Sequence, residues 1–321
     1  MKKIKLLVGT LCCAVLLTAC GYTEPTALSE PTSTESSSSS SSTTEESTSS
    51  STTVAEPVPE PKVETLCTAY ALYCVEDGEM LDSYKADMRI APASLTKILT
   101  ASVVLRYLDP DEVLTVGTEL ELVHKNSSLC MIEEGERITV GDLLYGLLLP
   151  SGNDAAYTFA VSTARKVSGN FRMSDKQATE YFCRLMNEMA LELGMRDSRF
   201  ADPDGWDAPN HYTTVNDLIT LSEYALTVPE IREAVATPIK EVMFETGEHA
   251  MWYNANALLF ERSEYYNENA IGMKNGATDD AGYCLIAAFE KNGKTYIDIV
   301  VGSETIEDRY EKILQLYDQI P

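Results

Sequence analysis

The alternation of apolar and polar residues predicts strands near both ends of the region that follows residue 64. Such alternation is typical of strands that bury one face. The predicted strands cover residues 68–75, 80–84, 282–290 and 295–301. The last two flank Asn292-Gly293, a dipeptide that favours the type I′ turn of a tight hairpin. We therefore expect an antiparallel sheet assembled from both ends of this region.

Apolar residues at helical spacing fill the segment between these strands. Helices are predicted from near Ser94, over 139–149, from Asp154, over 182–193, over 214–226 and over 304–320. Thr214 and Asp217 match a capping box with aspartate in place of glutamate. Strands at the ends and helices in the middle predict an α+β domain, in which an antiparallel sheet carries a helical insertion, rather than a βαβ series.

Residues 1–20 predict a secretion signal. Three of the first five residues are lysine, and the apolar run 6–18 is too short to span a membrane comfortably. The run ends in Leu17-Thr18-Ala19-Cys20-Gly21, which resembles the lipobox of bacterial lipoproteins, where the cysteine receives lipid. We expect an extracytoplasmic protein held to the cell membrane through lipid on Cys20. The alternative is an ordinary cleaved signal in which Cys20 is incidental.

Residues 21–64 are rich in serine, threonine, glutamate and proline, with unbroken serine over 36–42. So polar a segment buries too little apolar surface to offset the entropy of ordering, and it is predicted to be a disordered tether. Residues 65–321 are long enough for one large domain or two closely packed lobes.

Charge and cysteine content exclude several function classes. The chain has a net charge of −25, most of it after residue 64, and that region contains no basic block for nucleic acid. Five cysteines follow Cys20, an odd number that predicts buried free thiols and not a disulfide framework. Cys67 and Cys74 are expected on one strand, about 23 Å apart and too far to pair. The three histidines lack metal-ligand spacing, so no metal or cofactor is expected.

The candidate chemistry begins with Ser94 and Lys97. A serine hydroxyl is a poor nucleophile unless a base beside it takes the proton. Residues three apart lie on one face of a helix, so the two side chains are expected to be adjacent. Chance alone supplies about one such pair in a chain of this length, so the pair needs a supporting context.

Two further short motifs supply that context, and each occurs twice. Ser-Gly-Asn at 151–153 interrupts two apolar helices, whereas its copy at 168–170 is predicted to be a surface turn. Lys-Asn-Gly at 274–276 is expected near the end of a strand that borders a cleft. Its copy at 291–293 falls in the predicted hairpin turn.

Together these segments resemble a family. The three matching segments are Pro92-Ala93-Ser94-Leu95-Thr96-Lys97, the run 142–156 that contains Ser151-Gly152-Asn153, and Gly272-Met273-Lys274-Asn275-Gly276. They occur in the order of the three motifs of low-molecular-mass penicillin-binding proteins, and most closely resemble serine D-alanyl-D-alanine carboxypeptidases. The resemblance runs from about residue 67 to 310. It implies a β-lactamase/transpeptidase-like fold, with the active site between the sheet and a helical lobe.

The resemblance also implies roles for individual residues. Ser94 would be acylated by the penultimate D-alanine of a peptidoglycan stem peptide, with Lys97 as base. The pKa of Lys97 is expected to be lowered by burial and by the like charge of Lys274. Ser151 would relay a proton to the leaving amine. The expected substrate-binding residues are Asn153, Lys274, Asn275, Gly276 and Ala277. The backbone N–H groups of Ser94 and Ala277 would form the oxyanion hole. β-Lactams are the expected covalent inhibitors.

The chain departs from the family pattern at Asn275, where threonine is usual. The asparagine amide can still donate a hydrogen bond to a carboxylate, so we expect altered substrate affinity with intact acylation chemistry. Many relatives also carry a further β-domain and a membrane-binding helix. Here the sequence is expected to end with the catalytic domain, and lipid on Cys20 would replace that anchor.

Three alternatives stay open at the level of sequence. A serine β-lactamase shares the fold, but its common class uses a deacylating glutamate, and residues 194–210 contain none. A D,D-endopeptidase is not separable by these motifs. A catalytically silent penicillin sensor is the alternative from another class, with Asn275 as its sign of decay.

Overall fold

The fold is that of a computed structural model describing residues 66–321. The predicted signal, Cys20 and the predicted tether lie outside these residues. The helices are α1 (Thr96–Tyr107), α2 (Val140–Leu148), α3 (Asn153–Ser168), α4 (Asp175–Leu193), α5 (Val215–Thr227), α6 (Pro229–Ala236) and α7 (Ile306–Tyr317). The strands are β1 (Ala69–Cys74), β2 (Glu79–Tyr84), β3 (Val113–Thr115), β4 (Arg137–Thr139), β5 (Ile239–Met243), β6 (His249–Tyr253), β7 (Ala270–Thr278), β8 (Gly282–Lys291) and β9 (Lys294–Ser303).

The main sheet has five strands in the order β2-β1-β9-β8-β7, and all neighbours are antiparallel. Strands β1 and β2 come from the beginning of the domain and β7, β8 and β9 from its end, so the sheet is assembled from both ends as the hydrophobic pattern predicts. The β8–β9 hairpin turns at Asn292 and Gly293, whose φ angles of +54° and +78° match a type I′ turn. The edge strand β7 carries the first Lys-Asn-Gly motif, with further strand residues after it.

Helix α1 lies at the centre of the helical lobe. Residues 96–104 of this helix are all buried, with α2, α3, α4 and α5 packed around it. Helix α7 covers the opposite face of the sheet, where Tyr310 and Ile313 pack against side chains of β8 and β9. The first turn of α1 therefore meets both the lobe and the sheet, which is where Ser94 and Lys97 lie.

The sequence pattern did not predict the short helix α6 or the two ribbons β3–β4 and β5–β6. The strands of these ribbons have three and five residues, which is too few alternations to be recognised. Helix α4 begins seven residues earlier than predicted, at a capping box formed by Ser174 and Gln177. Cys67 lies outside β1, so it does not share a strand with Cys74 as predicted. All five cysteines of the described region are free and buried.

One of the two hydrogen bonds of the capping box predicted at the start of α5 is present and the other is not. The Thr214 hydroxyl accepts from the Asp217 amide at 3.1 Å, as a helix cap should. The Asp217 carboxylate does not return to Thr214, because it accepts instead from the Asp197 amide and the Ser198 hydroxyl. Within residues 66–321, no helix is long and apolar enough to cross a membrane.

Candidate active site

Ser94 and Lys97 lie side by side at the start of α1. Ser94 belongs to the 3₁₀ turn Ala93–Leu95, which leads directly into the helix. The Lys97 ammonium donates to the Ser94 hydroxyl at 2.9 Å and to the backbone carbonyl of Asp204 at 2.7 Å. Lys97 is completely buried, whereas Ser94 is partly exposed. The predicted adjacency of the nucleophile and the base is present.

Burial governs the protonation of Lys97. Desolvation disfavours the ammonium form and lowers the pKa of Lys97 to about 8. The negative charges of Asp204, Asp202 and Asp154 oppose this shift. Like-charge repulsion from Lys274, which was predicted to contribute, does not lower the pKa of Lys97. Lys274 is itself buried, and burial is the main cause that lowers its pKa well below the usual lysine range.

The loop that follows α4 fixes this pair from one side. The Asp202 carboxylate accepts from the Gly205 amide at 2.6 Å and from His211 Nδ1 at 3.0 Å. Burial by itself would raise the pKa of Asp202, but these bonds and the charge of His211 outweigh it and hold that pKa at about 2. His211 Nε2 lies 3.0 Å from the Thr96 hydroxyl, which ties the loop to α1. His211 thus joins the loop to α1 as a structural residue.

Gly205 is a position where a side chain has no room. Its φ angle is +93°, and a Cβ atom there would lie 1.8 Å from the Ala93 carbonyl oxygen. Ala93 itself adopts a φ of +47°, a left-handed conformation that costs an L-residue about 1 kcal/mol. This close packing holds the backbone beside the nucleophile in a strained but fixed conformation.

The first Ser-Gly-Asn motif forms the second wall, at the junction of α2 and α3. Ser151 has a φ of +64°, and its hydroxyl is buried without a hydrogen-bond partner in the described part of the chain. Asn153 begins α3, and its backbone N–H donates to the Ser128 backbone carbonyl at 2.8 Å. The charge of the next residue, Asp154, raises the pKa of Lys97, and the helices on both sides of the motif, α2 and α3, pack against α1. Among the described residues, Ser151 and Lys97 are not hydrogen-bonded to each other.

Strand β7 forms the third wall. A Cβ atom at Gly276 would lie 2.8 Å from the Ser94 amide nitrogen, so glycine allows the strand to approach the nucleophile. Lys274 is buried and donates to the backbone and side-chain oxygens of Asn275, at 2.9 and 3.3 Å. Ala277 follows on the exposed side of the strand. Burial, followed by repulsion from Lys97 and Arg309, lowers the pKa of Lys274.

Arg309 is a buried residue whose charge acts on Lys274 and that sequence reasoning missed. It lies on α7, is buried, and donates through Nη1 to the Cys284 carbonyl at 3.3 Å. Its Nε has no hydrogen-bond partner, and no described carboxylate lies within salt-bridge distance of it. A buried guanidinium without an acidic partner is unusual. Nothing in the spacing of an amphipathic helix identifies such a residue; only the packing of α7 under β8 does.

The two decoy motifs have the places predicted for them. Ser168-Gly169-Asn170 is the end of α3, where Gly169 adopts a left-handed φ of +66°. Lys291-Asn292-Gly293 forms the hairpin turn. Within residues 66–321, no group of three or more histidine, cysteine or acidic side chains is arranged to hold a metal ion.

Several known proteins are similar to this chain in sequence and fold. The peptidase S11 family model, described as D-alanyl-D-alanine carboxypeptidase, matches residues 51–305. D-alanyl-D-alanine carboxypeptidase DacF of Bacillus subtilis is 29% identical over 247 residues, which are 76% of this chain and 59% of the relative. DacC of Escherichia coli is 32% identical over 259 residues, 77% of this chain and 60% of the relative. The chain therefore spans about three fifths of the length of these two relatives.

Solved structures agree with the predicted fold class. The Streptomyces K15 DD-transpeptidase superposes with a TM-score of 0.71 at 30% identity, covering 79% of this chain and 96% of that one. Penicillin-binding protein D2 of Listeria monocytogenes, in its ampicillin-bound form, gives a TM-score of 0.65 at 30% identity, with coverages of 80% and 98%. Both the resemblance stated from the motifs and the fold class are confirmed. The chain belongs to the peptidase S11 family of D-alanyl-D-alanine carboxypeptidases.

Proposed function

We propose that the protein is a serine D-alanyl-D-alanine carboxypeptidase that removes the terminal D-alanine from peptidoglycan stem peptides. The observation that carries the proposal is the 2.9 Å contact between a completely buried Lys97 amine and the Ser94 hydroxyl. A lysine whose pKa is near 8 is available as a base close to neutral pH, which an exposed lysine is not.

Acylation follows from this geometry. The Ser94 oxygen attacks the carbonyl carbon of the penultimate D-alanine while Lys97 takes the hydroxyl proton. The negative oxygen that forms is bound by the backbone N–H groups of Ser94 and Ala277, which the close approach of Gly276 brings together. One such donor contributes roughly 3–4 kcal/mol to transition-state stabilisation. The start of α1 adds a favourable potential at the same point.

Ser151 and Asn153 act on the two sides of the scissile bond. As the carbon–nitrogen bond breaks, the proton held by Lys97 passes through the Ser151 hydroxyl to the departing D-alanine amine. The buried, unbonded Ser151 hydroxyl is free to accept and donate in this way. The Asn153 side chain holds the backbone of the peptide that stays attached. Water then hydrolyses the ester on Ser94, whereas a β-lactam leaves a long-lived acyl group in its place.

The terminal carboxylate of the substrate occupies the third wall. Lys274 and Arg309 are both buried and have no acidic partner among the described residues. A carboxylate placed between them would pair with both, and would restore the charged form of Lys274. The Asn275 carboxamide oxygen accepts from Lys274 at 3.3 Å and so competes for the same ammonium.

We also propose that the chain carries a lipoprotein-type signal over residues 1–20 and lipid on Cys20, followed by a tether over 21–64. This arrangement holds the domain of residues 65–321 outside the cytoplasm, at the membrane and facing the cell wall. Its support is the basic start, the short apolar run and the small residues before Cys20.

Labelling with a fluorescent penicillin tests the nucleophile. We expect wild type to take one covalent label and Ser94→Ala to take none, because the ester forms on that hydroxyl. Ser168→Ala, in the second Ser-Gly-Asn motif, is the matched control and should label normally. Absence of label on the wild-type protein, or full labelling of Ser94→Ala, would contradict the proposal. Release of D-alanine from a stem peptide then separates a carboxypeptidase from a silent penicillin sensor.

The pH dependence of acylation tests the base. Lys97 must be neutral to accept a proton, so the acylation rate should rise through about pH 8 and level off above it. The Asp204 charge raises the pKa of Lys97, so Asp204→Asn should move the midpoint to lower pH, by about one unit or less. Asp111→Asn, an exposed change, should leave the midpoint in place. A midpoint that stays or moves upward in Asp204→Asn would exclude this account of the base.

Opposite changes at the third wall test the carboxylate site. Asn275→Thr removes a competing acceptor from Lys274 and should lower KM for a D-Ala-D-Ala peptide several-fold. Arg309→Leu removes a cation and should raise KM about tenfold or more, consistent with a charge-assisted hydrogen bond of about 1.5–3 kcal/mol. A peptide with an amidated C-terminus serves as the control substrate and should respond weakly to both. Unchanged KM values in both variants would place the carboxylate elsewhere.

Cell fractionation tests the anchor. We expect wild-type protein in the membrane fraction to incorporate radiolabelled fatty acid, and Cys20→Ser to lose both the label and the membrane association. Cys13→Ser, within the apolar run of the signal, is the matched control and should behave as wild type. Retention of fatty acid by Cys20→Ser would assign the lipid to a different residue.

A further inference from the structure

Trp206 follows the residues that hold Lys97, and its backbone is fixed by two acidic side chains. The Trp206 backbone N–H donates to the carboxylates of Asp202 and Asp204, at 3.2 and 3.4 Å. The Asp204 backbone carbonyl in turn accepts from the Lys97 ammonium at 2.7 Å. Gly205, between Asp204 and Trp206, packs against the backbone of the 3₁₀ turn that carries the proposed nucleophile. A shift of Trp206 would therefore displace both the acceptor of the proposed base and the contact with that turn.

The indole ring of Trp206 stacks on the imidazole ring of His124, which belongs to a different segment of the chain. The ring centroids are 4.5 Å apart and the planes are 3° from parallel. The segment of His124 is joined to the second wall, because the Ser128 backbone carbonyl accepts from the backbone N–H of Asn153 at 2.8 Å. His124 is exposed, whereas Trp206 is half-buried. The stack is thus a contact near the surface that connects the second wall with the loop that holds Lys97.

Asp207 fastens the same loop to the third wall. Its carboxylate accepts from the backbone N–H of Asp280 at 3.0 Å, and Asp280 lies in the turn between β7 and β8. Trp206 and Asp207 are neighbours in the sequence, so adjacent residues attach the loop to the second and the third wall. Supporting contacts of this kind hold the groups of a site in their working geometry. A displacement of about 1 Å can reduce a rate about a hundredfold.

We propose that Trp206 and His124 are positioning residues for acylation: their stack holds the loop against the second wall and so keeps the Asp204 carbonyl on Lys97. This inference rests on the proposed function, because it concerns the same base. Neither ring exchanges a proton or holds the substrate in this role, since each acts only through the loop. Loss of the stack should therefore slow the chemical step and leave substrate binding nearly unchanged.

Replacement of the exposed ring tests this role without threatening the fold. The readouts are the maximal rate of acylation by a fluorescent penicillin and the concentration that gives half of that rate. In His124→Ala we expect the maximal rate to fall about threefold to tenfold, the range that an aromatic pair contributes, at a nearly constant half-saturating concentration. His124→Phe restores a flat ring and should recover most of the rate. His249→Ala is the matched control, because His249 is an exposed histidine on β6, and it should acylate as wild type does.

Tryptophan fluorescence tests whether the stack forms in solution, independently of activity. The chain has two tryptophans, Trp206 and the buried Trp252. Contact with an imidazole quenches indole emission, so His124→Ala should increase the emission of the protein. In a Trp206→Leu background the same substitution should change neither the emission nor the acylation rate further, because residues that act as a pair are not additive.

Three results would overturn the inference. The first is an unchanged emission in His124→Ala, which would mean that the rings do not stack. The second is a wild-type acylation rate in that variant, which would mean that the stack positions nothing. The third is a loss of rate that His124→Phe does not recover and that persists in the Trp206→Leu background, which would give His124 a role of its own. If wild type takes a penicillin label and releases D-alanine from a stem peptide, these results leave the proposed function standing. Failure of both of those activities would reject the proposed function itself.

Discussion

The removal of one lysine amine from water is the constraint on which this structure depends. Lys97 lies in a helix whose residues 96–104 are all buried, so every neighbouring element contributes to its desolvation. Burying an ammonium is costly, and the group responds by giving up its proton more readily. The Asp204 carbonyl and the Ser94 hydroxyl are its remaining polar partners. The lobe, the loop after α4 and strand β7 together bury this amine and lower its pKa, which suits Lys97 to the role of base proposed above.

The three aspartates near Lys97 limit how far burial lowers its pKa. Their charges favour the ammonium form and limit the fall of its pKa, so a value near 8 results from opposed contributions. Two of them have a second task in the described structure. Asp202 binds the Gly205 amide and His211, and Asp154 binds the amides of the loop at 130–132. The same side chains therefore fix the walls and adjust the base, which couples the geometry of the site to its protonation.

What the sequence could predict follows from how local each signal is. Ser94 and Lys97 share one helical turn, and Asn292-Gly293 determines its own turn, so both were found from neighbouring residues alone. The contribution of Lys274 to the pKa of Lys97 was predicted wrongly, because the pKa of Lys97 is set by its burial and by three aspartates that are distant in sequence. Arg309 was missed because its partners, Cys284 on β8 and Lys274 on β7, are far away in sequence. Tertiary burial, which no spacing encodes, decides both cases.

The third wall, at strand β7, has basic side chains that no described acidic residue neutralises. Within the described residues, Lys274 and Arg309 are buried basic side chains with no carboxylate within salt-bridge distance, and the charge of Arg309 helps to lower the pKa of Lys274. A ligand that brings a carboxylate relieves both the desolvation and the repulsion, so its binding gains free energy that a neutral peptide end would not. Because burial and the charges of Lys97 and Arg309 lower the pKa of Lys274, a bound carboxylate would favour the protonated form of this amine. The proposed recognition of a free peptide terminus would therefore depend on these two basic side chains, with the Asn275 carboxamide competing for Lys274.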